Sequence, residues 1–221
     1  MKFLDLTKSP VIEVELSLPQ IQKMIQRETG RELRFMNSLL TKYYHKRFKL
    51  IRFPSPIGFS VAAAVDIAKG LVLFPYGGDT KKVRIDALMP FDNIDYLLYL
   101  CSPDGSALES QAQHHGDLGS LAMHLPDEDF LKKIGVDPKN WDNIQQKNIA
   151  AVQLGDDIST IYYAAECDIK ANTLLGYSYG LTYWTKLGIS PLFIESGGAP
   201  YKIIDLKSYF QYFQKIRVSF L

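Results

Sequence analysis

Cysteine is scarce in this chain, which excludes two ways of holding a small fold together. Only Cys101 and Cys167 occur among 221 residues. Two thiols are too few for a disulfide framework, and they are too few for a four-thiolate zinc site without other ligands. We therefore expect the protein to reside in a reducing compartment.

Long apolar runs are missing as well. The sequence contains no stretch of about 18 apolar residues, which is roughly the length that a membrane-spanning helix requires. The first residues, Met1–Asp5, lack the hydrophobic core of a signal peptide. We therefore expect a soluble, cytoplasmic protein that has no membrane partner.

The chain also has no excess of charge of one sign. It carries 25 Lys and Arg residues against 24 Asp and Glu residues, which is a formal net charge of +1. Such a balance gives no long-range attraction toward nucleic acid, so we expect no direct nucleic-acid partner. The basic and aromatic stretch from Lys42 to Arg52 is interpreted as a solvated face, with a contact to an acidic partner as the alternative.

Hydrophobic spacing divides the chain into a helical beginning and a β-rich remainder. Within residues 1–49, apolar residues at helical spacing on either side of Gly30 predict two short helices, a helical N-terminal extension. Strand-like runs punctuated by proline and glycine dominate residues 50–185, with residues 85–115 as an inserted subregion. Residues 186–221 form a C-terminal segment. We expect a mainly β fold, a β-rich α+β architecture built around one main domain.

The stretch from residue 116 to residue 148 is polar and irregular, and its prolines limit the length of any helix. Within it lies the acidic run Asp127–Asp129. We interpret this run as a charge cluster at a helix N-terminus, where negative charge is favourable. Recruitment of a basic substrate is the alternative.

Other site chemistries find little support in the residues. His114 and His115, with Asp117 and His124, raise the alternative of a metal site, but adjacent histidines point in divergent directions, so we expect no metal. The chain has no Gly-x-Ser-x-Gly motif and no persuasive pairing of a cysteine with a histidine. The run Gly77–Lys81 lacks the spacing of a phosphate-binding loop.

Two segments of the chain echo each other. The first runs from Ala64–Gly70 to Tyr76–Gly78, and the second runs from Glu166–Asn172 to Tyr177–Gly180. Each copy predicts a β-hairpin that leads into a tyrosine-glycine turn. The glycines of these turns are the residues that most readily adopt positive φ angles.

Three groups of residues, taken in order, carry a resemblance to a known family. They are Pro56–Val61 with Asp66–Gly70 and Tyr76–Asp79, then Gly116–His124, and finally Asp168–Gly180. In this order they resemble the motifs of the SET-domain protein lysine methyltransferases. The resemblance covers residues 50 to about 185.

The first group resembles the family's opening, which reads Gly-x-Gly-Trp-Gly-Val, then Asp-Ile-x-x-Gly, then Tyr-x-Gly-Glu. Gly58 matches a glycine of that pattern. Phe59 replaces the tryptophan, Ser60 replaces the next glycine, and Asp79 replaces the glutamate.

The other two groups contain the residues that matter for chemistry in the family. The group Gly116–His124 resembles Gly-Asn-x-Ala-Arg-Phe-Ile-Asn-His, with His124 on the histidine and Met123 on the asparagine. The group Asp168–Gly180 resembles Asp-Ile-x-x-Gly-Glu-Glu-Leu-x-Tyr-Asp-Tyr-Gly. By this match Tyr179 takes the place of the family's catalytic tyrosine, and Tyr177 takes the place of its phenylalanine/tyrosine switch.

The resemblance implies a SET-like fold of small curved sheets with a threaded C-terminal segment. Cysteine-rich zinc segments are absent, so the chain resembles a compact member. The continuation His124–Pro126 is similar to that of bacterial members that act as secreted effectors. This association implies, as the alternative to a cytoplasmic location, secretion into a host cell, with the host nucleus as a destination.

The implied activity is transfer of a methyl group from S-adenosylmethionine to a lysine of a protein substrate, a histone or another host protein. Tyr179 and Tyr177 would be the catalytic residues, and the second hydroxyl of Tyr177 would hold water and favour monomethylation. Contacts to the cofactor are expected from Gly58, Phe59, Val61, Met123, His124 and Tyr179.

Two other hypotheses remain open at this point. In the first, Met123, Asp79 and Ser60 mark an eroded cofactor site, and the SET-like fold binds a peptide or a partner protein. Loss of the hydrogen bond between an asparagine amide and a charged ligand would cost about 1.5 to 3 kcal/mol of binding free energy. In the second, the resemblance is accidental and the chain is another β-rich interaction module.

Overall fold

The structure is a computed structural model. It describes residues 12–14, 22–23, 25–27, 32–33, 46–53, 58–84, 97–102, 104–112, 115–154, 160–187, 191, 193–197, 201 and 203–204.

Short strands make up most of the regular structure. In chain order the strands are β1 Ile12–Val14, β2 Glu32–Leu33, β3 Phe48–Arg52, β4 Phe59–Ala63, β5 Val72–Pro75, β6 Asp79–Arg84, β7 Leu97–Cys101, β8 Ser106–Gln111, β9 His115–Gly116, β10 Met123–His124, β11 Ile149–Val152, β12 Tyr162–Ala165, β13 Gly176–Tyr177, β14 Phe193–Ile194 and β15 Ile203–Ile204.

Among the residues that the structure describes, the helices are few and short. Helix α1 spans Glu128–Lys133 and helix α2 spans Leu181–Leu187, while Leu118–Leu121 and Pro138–Asn143 are 3₁₀ helices. Residues 22–23, 25–27 and 46–47 are also helical. The expectation of a mainly β fold with small sheets is therefore confirmed.

The strands of the described residues form small sheets of two or three strands. Antiparallel three-stranded sheets have the orders β1-β3-β4, β11-β12-β5 and β6-β8-β7. The pairs β10-β13 and β2-β9 are parallel, and β14-β15 is antiparallel. Parallel pairs need long connections, so each of them joins distant parts of the chain.

The two echoing segments pair with each other, which corrects the expectation of two separate hairpins. Strand β5 of the first copy does not pair with β4, which directly precedes that copy, but with β12, which directly precedes the second copy. In return, Ala62, two residues before the first copy, bridges Leu174 of the second. Between these contacts, Ile67 and Ile169 exchange two backbone hydrogen bonds, both of 2.8 Å. The copies are therefore interlocked.

An aspartate of each copy completes this exchange. The Asp66 carboxylate accepts a hydrogen bond from the Ala171 backbone N–H at 2.9 Å, and the Asp168 carboxylate accepts one from the Lys69 N–H at 2.9 Å. Lys170 adds an ion pair with Asp66 at 2.7 Å, and its hydrogen bond lowers the pKa of that carboxyl. Because these charged groups are exposed, the ion pair adds little stability, and the backbone bonds define the geometry.

The N-terminal region differs in part from the helical extension that the spacing predicts. Residues 22–23 and 25–27 are helical as expected. Strand β1, however, pairs with β3, and strand β2 pairs with β9. A strand thus occupies Glu32–Leu33, where the second helix was expected to begin. The domain boundary at residue 49 stays a prediction, although both of these strands pair with partners at or beyond it.

Close crossing of backbones explains two glycines near the centre of the molecule. A Cβ atom on Gly77, whose φ is +78°, would overlap the backbone nitrogen of Asp117. A Cβ atom on Gly119 would lie 2.5 Å from the carbonyl oxygen of Pro75. The Asp117 N–H donates to the Tyr76 carbonyl at 3.0 Å across the same crossing. The absence of side chains lets these two loops pack directly on each other.

Apolar residues gather in three buried clusters. The main cluster contains Phe59, Val61, Phe74, Tyr76 and Tyr163 among others, and a second cluster contains Met123 and Leu174. The third is built by the segment after His124, where α1 contributes Phe130 and Leu131. Residues 116–148 therefore contribute most of a buried apolar cluster, which Phe193 completes, despite their polar sequence.

The acidic run at the start of α1 has the capping role that we expected. The Asp127 side chain accepts a hydrogen bond from the Phe130 N–H at 2.7 Å, and Glu128 and Asp129 lie in the first turn. Both cysteines are free and exposed. Within the described ranges, no helix is long and apolar enough to cross a membrane.

Candidate functional site

Strand β13 and the residues before it bring the expected site residues together. The Leu175 N–H donates to the Val61 carbonyl at 2.8 Å, and the Leu175 carbonyl accepts from the Met123 N–H at 3.3 Å. The Leu125 N–H continues the ladder to the Tyr177 carbonyl at 3.1 Å. Segments separated by more than a hundred residues in sequence thus meet at the two tyrosines.

Tyr179 makes two hydrogen bonds that fix both its backbone and its ring. The Tyr179 hydroxyl donates to the Ala122 carbonyl oxygen at 2.6 Å, and its backbone N–H donates to His124 Nδ1 at 3.1 Å. A phenol has one proton to donate. Because this proton is directed at Ala122, any further hydrogen bond at the Tyr179 oxygen is one that the oxygen accepts.

His124 is buried and neutral. Burial lowers its pKa from 6.5 to about 3. Since Nδ1 accepts from the Tyr179 N–H, the proton of the neutral imidazole lies on Nε2. The ring packs edge-on against Phe130 and Trp184, with centroids 4.7 and 5.0 Å away. His124 is therefore held between apolar rings, with its Nδ1 bonded to the Tyr179 backbone.

A continuous series of aromatic rings surrounds Tyr179. Tyr163 and Tyr177 have ring centroids 5.1 Å apart, and Tyr177 and Tyr179 have centroids 4.8 Å apart. Helix α2 adds Tyr183 at 4.9 Å from Tyr179 and Trp184, whose ring is parallel to that of Tyr179. Burial raises the pKa of Tyr177 to about 12, so its hydroxyl keeps its proton at neutral pH. The surroundings are apolar walls with neutral hydroxyl groups.

Three residues expected at the cofactor lie on β4 or next to it. Gly58 has a φ of +76° and accepts a hydrogen bond from the Phe53 N–H at 2.7 Å. The side chains of Phe59 and Val61 are buried in the main cluster. Backbone pairing joins Val61 to the strand that carries the tyrosines, and contact of these residues with a cofactor stays a prediction.

Met123 and His124 use their backbones differently. Met123 and Leu125 pair with the β13 strand, so strand alternation directs the N–H and C=O of His124 to the opposite edge of β10. The Met123 side chain is 8% exposed and packs in the second cluster with Leu174 and Tyr201. The backbone at His124 can therefore bind a polar ligand, whereas the Met123 side chain offers it no hydrogen bond.

Sequence analysis missed two buried amides next to this site. Asn148 and Gln145 are 5% and 8% exposed, and both donate to the Leu174 carbonyl, at 2.7 and 2.8 Å. No signal in the sequence distinguishes them, because both belong to the polar run Gln145–Asn148, which directly precedes the apolar run Ile149–Val152. Such polar residues are seldom buried unless they are hydrogen-bonded.

Comparisons with known proteins give matches only at the level of structure. No family model matches the chain. No curated protein matches it either.

Solved structures that this chain resembles include the following three. The ATXR5 SET domain, in complex with histone H3, has a TM-score of 0.47 at 15% identity, with 77% of this chain and 92% of that chain covered. KRYPTONITE, in complex with DNA and SAH, has a TM-score of 0.40 at 17% identity, with 71% and 26% covered. The methyltransferase domain of human PR domain-containing protein 2 has a TM-score of 0.38 at 17% identity, with 78% and 93% covered.

Proposed function

We propose that this protein transfers a methyl group from S-adenosylmethionine to the side-chain amine of a lysine on a protein substrate. The single observation that carries the proposal is the position of Tyr179. The Ala122 carbonyl accepts a hydrogen bond from its hydroxyl, and His124 Nδ1 accepts one from its backbone N–H. Tyr179 is also the residue that the sequence motifs match to a catalytic tyrosine.

The chemistry requires a neutral amine. Lysine has a reference pKa of about 10.4, so the ammonium must lose a proton to water before its nitrogen can attack. Apolar walls favour this loss, because burial disfavours the charged form. The aromatic rings of Tyr177, Tyr179 and Tyr183 can enclose the lysine stem, and the Tyr179 oxygen can accept an N–H of the amine and aim its lone pair.

The cofactor supplies an electrophilic methyl group, which the nitrogen takes as the carbon–sulfur bond breaks. The residues of this chain fit such a ligand through their backbone. The His124 N–H and C=O face away from β13, and the Ala122 carbonyl and Tyr179 hydroxyl would supply oxygen atoms to the positive charge of the cofactor. Gly58, Phe59 and Val61 would complete the contacts. Met123 would contribute its backbone alone.

Protein substrates of this proposed enzyme include histones and other host proteins, with monomethylation as the outcome that the Tyr177 hydroxyl favours. Action as a bacterial effector inside a host cell belongs to the same proposal.

A second candidate function has one observation in its favour. Met123 packs with Leu174 and Tyr201 in an apolar cluster, where a family member would present an asparagine amide. In this hypothesis the cofactor site is eroded, and the protein binds a peptide or a partner protein.

Calorimetric titration with S-adenosylmethionine separates the two functions. Micromolar binding, together with transfer of labelled methyl groups to lysines in a mixed protein substrate, is the result expected for the enzyme. No heat of binding at millimolar cofactor would overturn the methyltransferase proposal and favour the binding protein.

A further inference from the structure

Asn148 makes an unusual set of contacts with the strand that carries the tyrosines. Its side-chain Nδ2 donates to the Leu174 carbonyl at 2.7 Å, and its Oδ1 accepts from the Gly176 N–H at 3.1 Å. Its backbone N–H donates to the Gly176 carbonyl at 3.1 Å, and its carbonyl accepts from the Glu166 N–H at 2.9 Å. One residue thus connects β12 with β13.

The geometry of an extended strand explains why a carboxamide suits this position. The carbonyl of residue 174 and the N–H of residue 176 point to the same side of the strand, because strand geometry repeats every two residues. A carboxamide offers one donor edge and one acceptor edge, as a peptide group does. The Asn148 side chain therefore takes the place of a neighbouring strand along the edge opposite to Val61.

Gly176 lies so close to β10 on its other side that a larger residue would not fit. A Cβ atom on Gly176 would lie 2.5 Å from the Met123 carbonyl oxygen and 2.6 Å from Leu125 Cγ. The strand is thus pressed between Asn148 and β10. Tyr177 follows directly, and Tyr179 lies two residues further along the chain.

We infer that Asn148 is a positioning residue, which holds the strand at Leu174–Gly176 against β10 so that Tyr177 and Tyr179 stand in their reactive arrangement. This role rests on the proposed function. Gln145 also donates to the Leu174 carbonyl, but the Gly176 N–H donates to Asn148.

Replacement of Asn148 by Asp tests the role through pH. An ionised carboxylate still accepts from Gly176, but it repels the Leu174 carbonyl, whereas a protonated carboxyl donates to that carbonyl and restores the pair. Burial raises the pKa of such a carboxyl group, so its ionisation falls in a pH range in which the enzyme can be assayed. Asn143→Asp is the matched control, because Asn143 is exposed and lies in the same polar segment, residues 116–148.

The kinetic readout is the ratio of variant to wild-type kcat at each pH. For Asn148→Asp we expect this ratio to be about tenfold to a hundredfold below one at about pH 8 and to rise toward one at about pH 5.5, with KM for the cofactor within about twofold. Asn143→Asp should give a ratio near one throughout. A reduced ratio that is constant with pH, or a loss that lies in KM alone, overturns the inference.

Amide hydrogen exchange of the full chain provides a readout that needs no activity. In Asn148→Asp and Asn148→Leu we expect faster exchange at Gly176, Leu125 and Tyr179, with unchanged exchange at Ile67 and Ile169. Equal acceleration at all five amides means general destabilisation and overturns the positioning role. If the wild-type protein transfers no methyl group, the proposed function fails, and the exchange pattern still decides whether Asn148 holds this strand.

Discussion

The Tyr179 hydroxyl lies 2.6 Å from the carbonyl oxygen of Ala122, to which it donates its proton. These residues are separated by 57 positions in sequence, and the parallel pairing of β10 with β13 brings them together. The bond orients the phenol so that its oxygen can accept from an amine. The same contact therefore joins the fold to the proposed chemistry.

Replacement of Tyr179 by Phe should abolish most of the methyl transfer. Loss of a positioned hydroxyl typically lowers kcat by about two orders of magnitude, since the amine loses the acceptor that aims its lone pair. Cofactor affinity, measured by calorimetry, should change little. Tyr99→Phe is the control, because Tyr99 donates to Glu109 on a separate sheet. Unchanged kcat in Tyr179→Phe would contradict the assigned role.

Replacement of Tyr177 by Phe should raise the number of methyl groups transferred to each lysine. Removal of its hydroxyl frees the space of a bound water, so a methylated amine can turn for a second transfer. Mass spectrometry of a substrate peptide under repeated turnover measures the products. An unaltered, purely monomethylated product would exclude Tyr177 as the residue that limits methylation.

Replacement of Met123 by Asn should destabilise the protein without improving cofactor binding. An amide in the second apolar cluster should cost about 2 kcal/mol of the free energy of unfolding, because it would be buried among apolar side chains. Met123→Leu, a change that conserves volume, should cost less than about 1.5 kcal/mol. Urea unfolding and calorimetry check both. A tenfold gain in cofactor affinity in Met123→Asn would place this side chain at the ligand instead.

His124 should make the fold sensitive to acid. Its pKa is about 3 in the folded protein and 6.5 as its ordinary value, so between these values only the unfolded chain takes up the proton. Stability is therefore complete above about pH 6.5 and falls toward pH 3, by up to about 1.4 kcal/mol for each pH unit.

The measurement for His124 is urea unfolding of the wild type and of His124→Asn across this pH range. Asparagine can accept from the Tyr179 N–H and does not titrate. The variant should therefore lose part of the pH dependence. If both proteins show the same slope between pH 6.5 and 4, carboxylates and not His124 are responsible for the acid sensitivity.

Replacement of Gly77 by Ala should be strongly destabilising. The new Cβ would overlap the Asp117 backbone nitrogen and would also force a positive φ on alanine. We expect a loss of more than about 2 kcal/mol in the free energy of unfolding. Gly105 also has a positive φ but faces open space, so Gly105→Ala should cost only about 1 kcal/mol. Equal losses in thermal or urea unfolding would mean that the crossing of the two loops can relax.

Features that depend on neighbours in sequence could be predicted from the sequence alone. The mainly β character, the glycines with positive φ such as Gly77 and Gly180, and the Asp127 cap are of this kind. The motifs also selected His124 and Tyr179, which the structure places in contact. Each of these rests on local chemistry: a turn angle, a cap, or the order of residues in a motif.

Features that depend on distant residues were decided by the tertiary structure. The echoing copies exchange partners across 105 residues, as in the bond from Ala171 to Asp66, so the local pattern of two hairpins was misleading. The strands in the N-terminal region exist because β3 and β9 offer them free edges. The roles of Asn148 and Met123 likewise follow from what packs against them. A local pattern specifies the conformation of a few residues, whereas strand partners and burial depend on the whole chain.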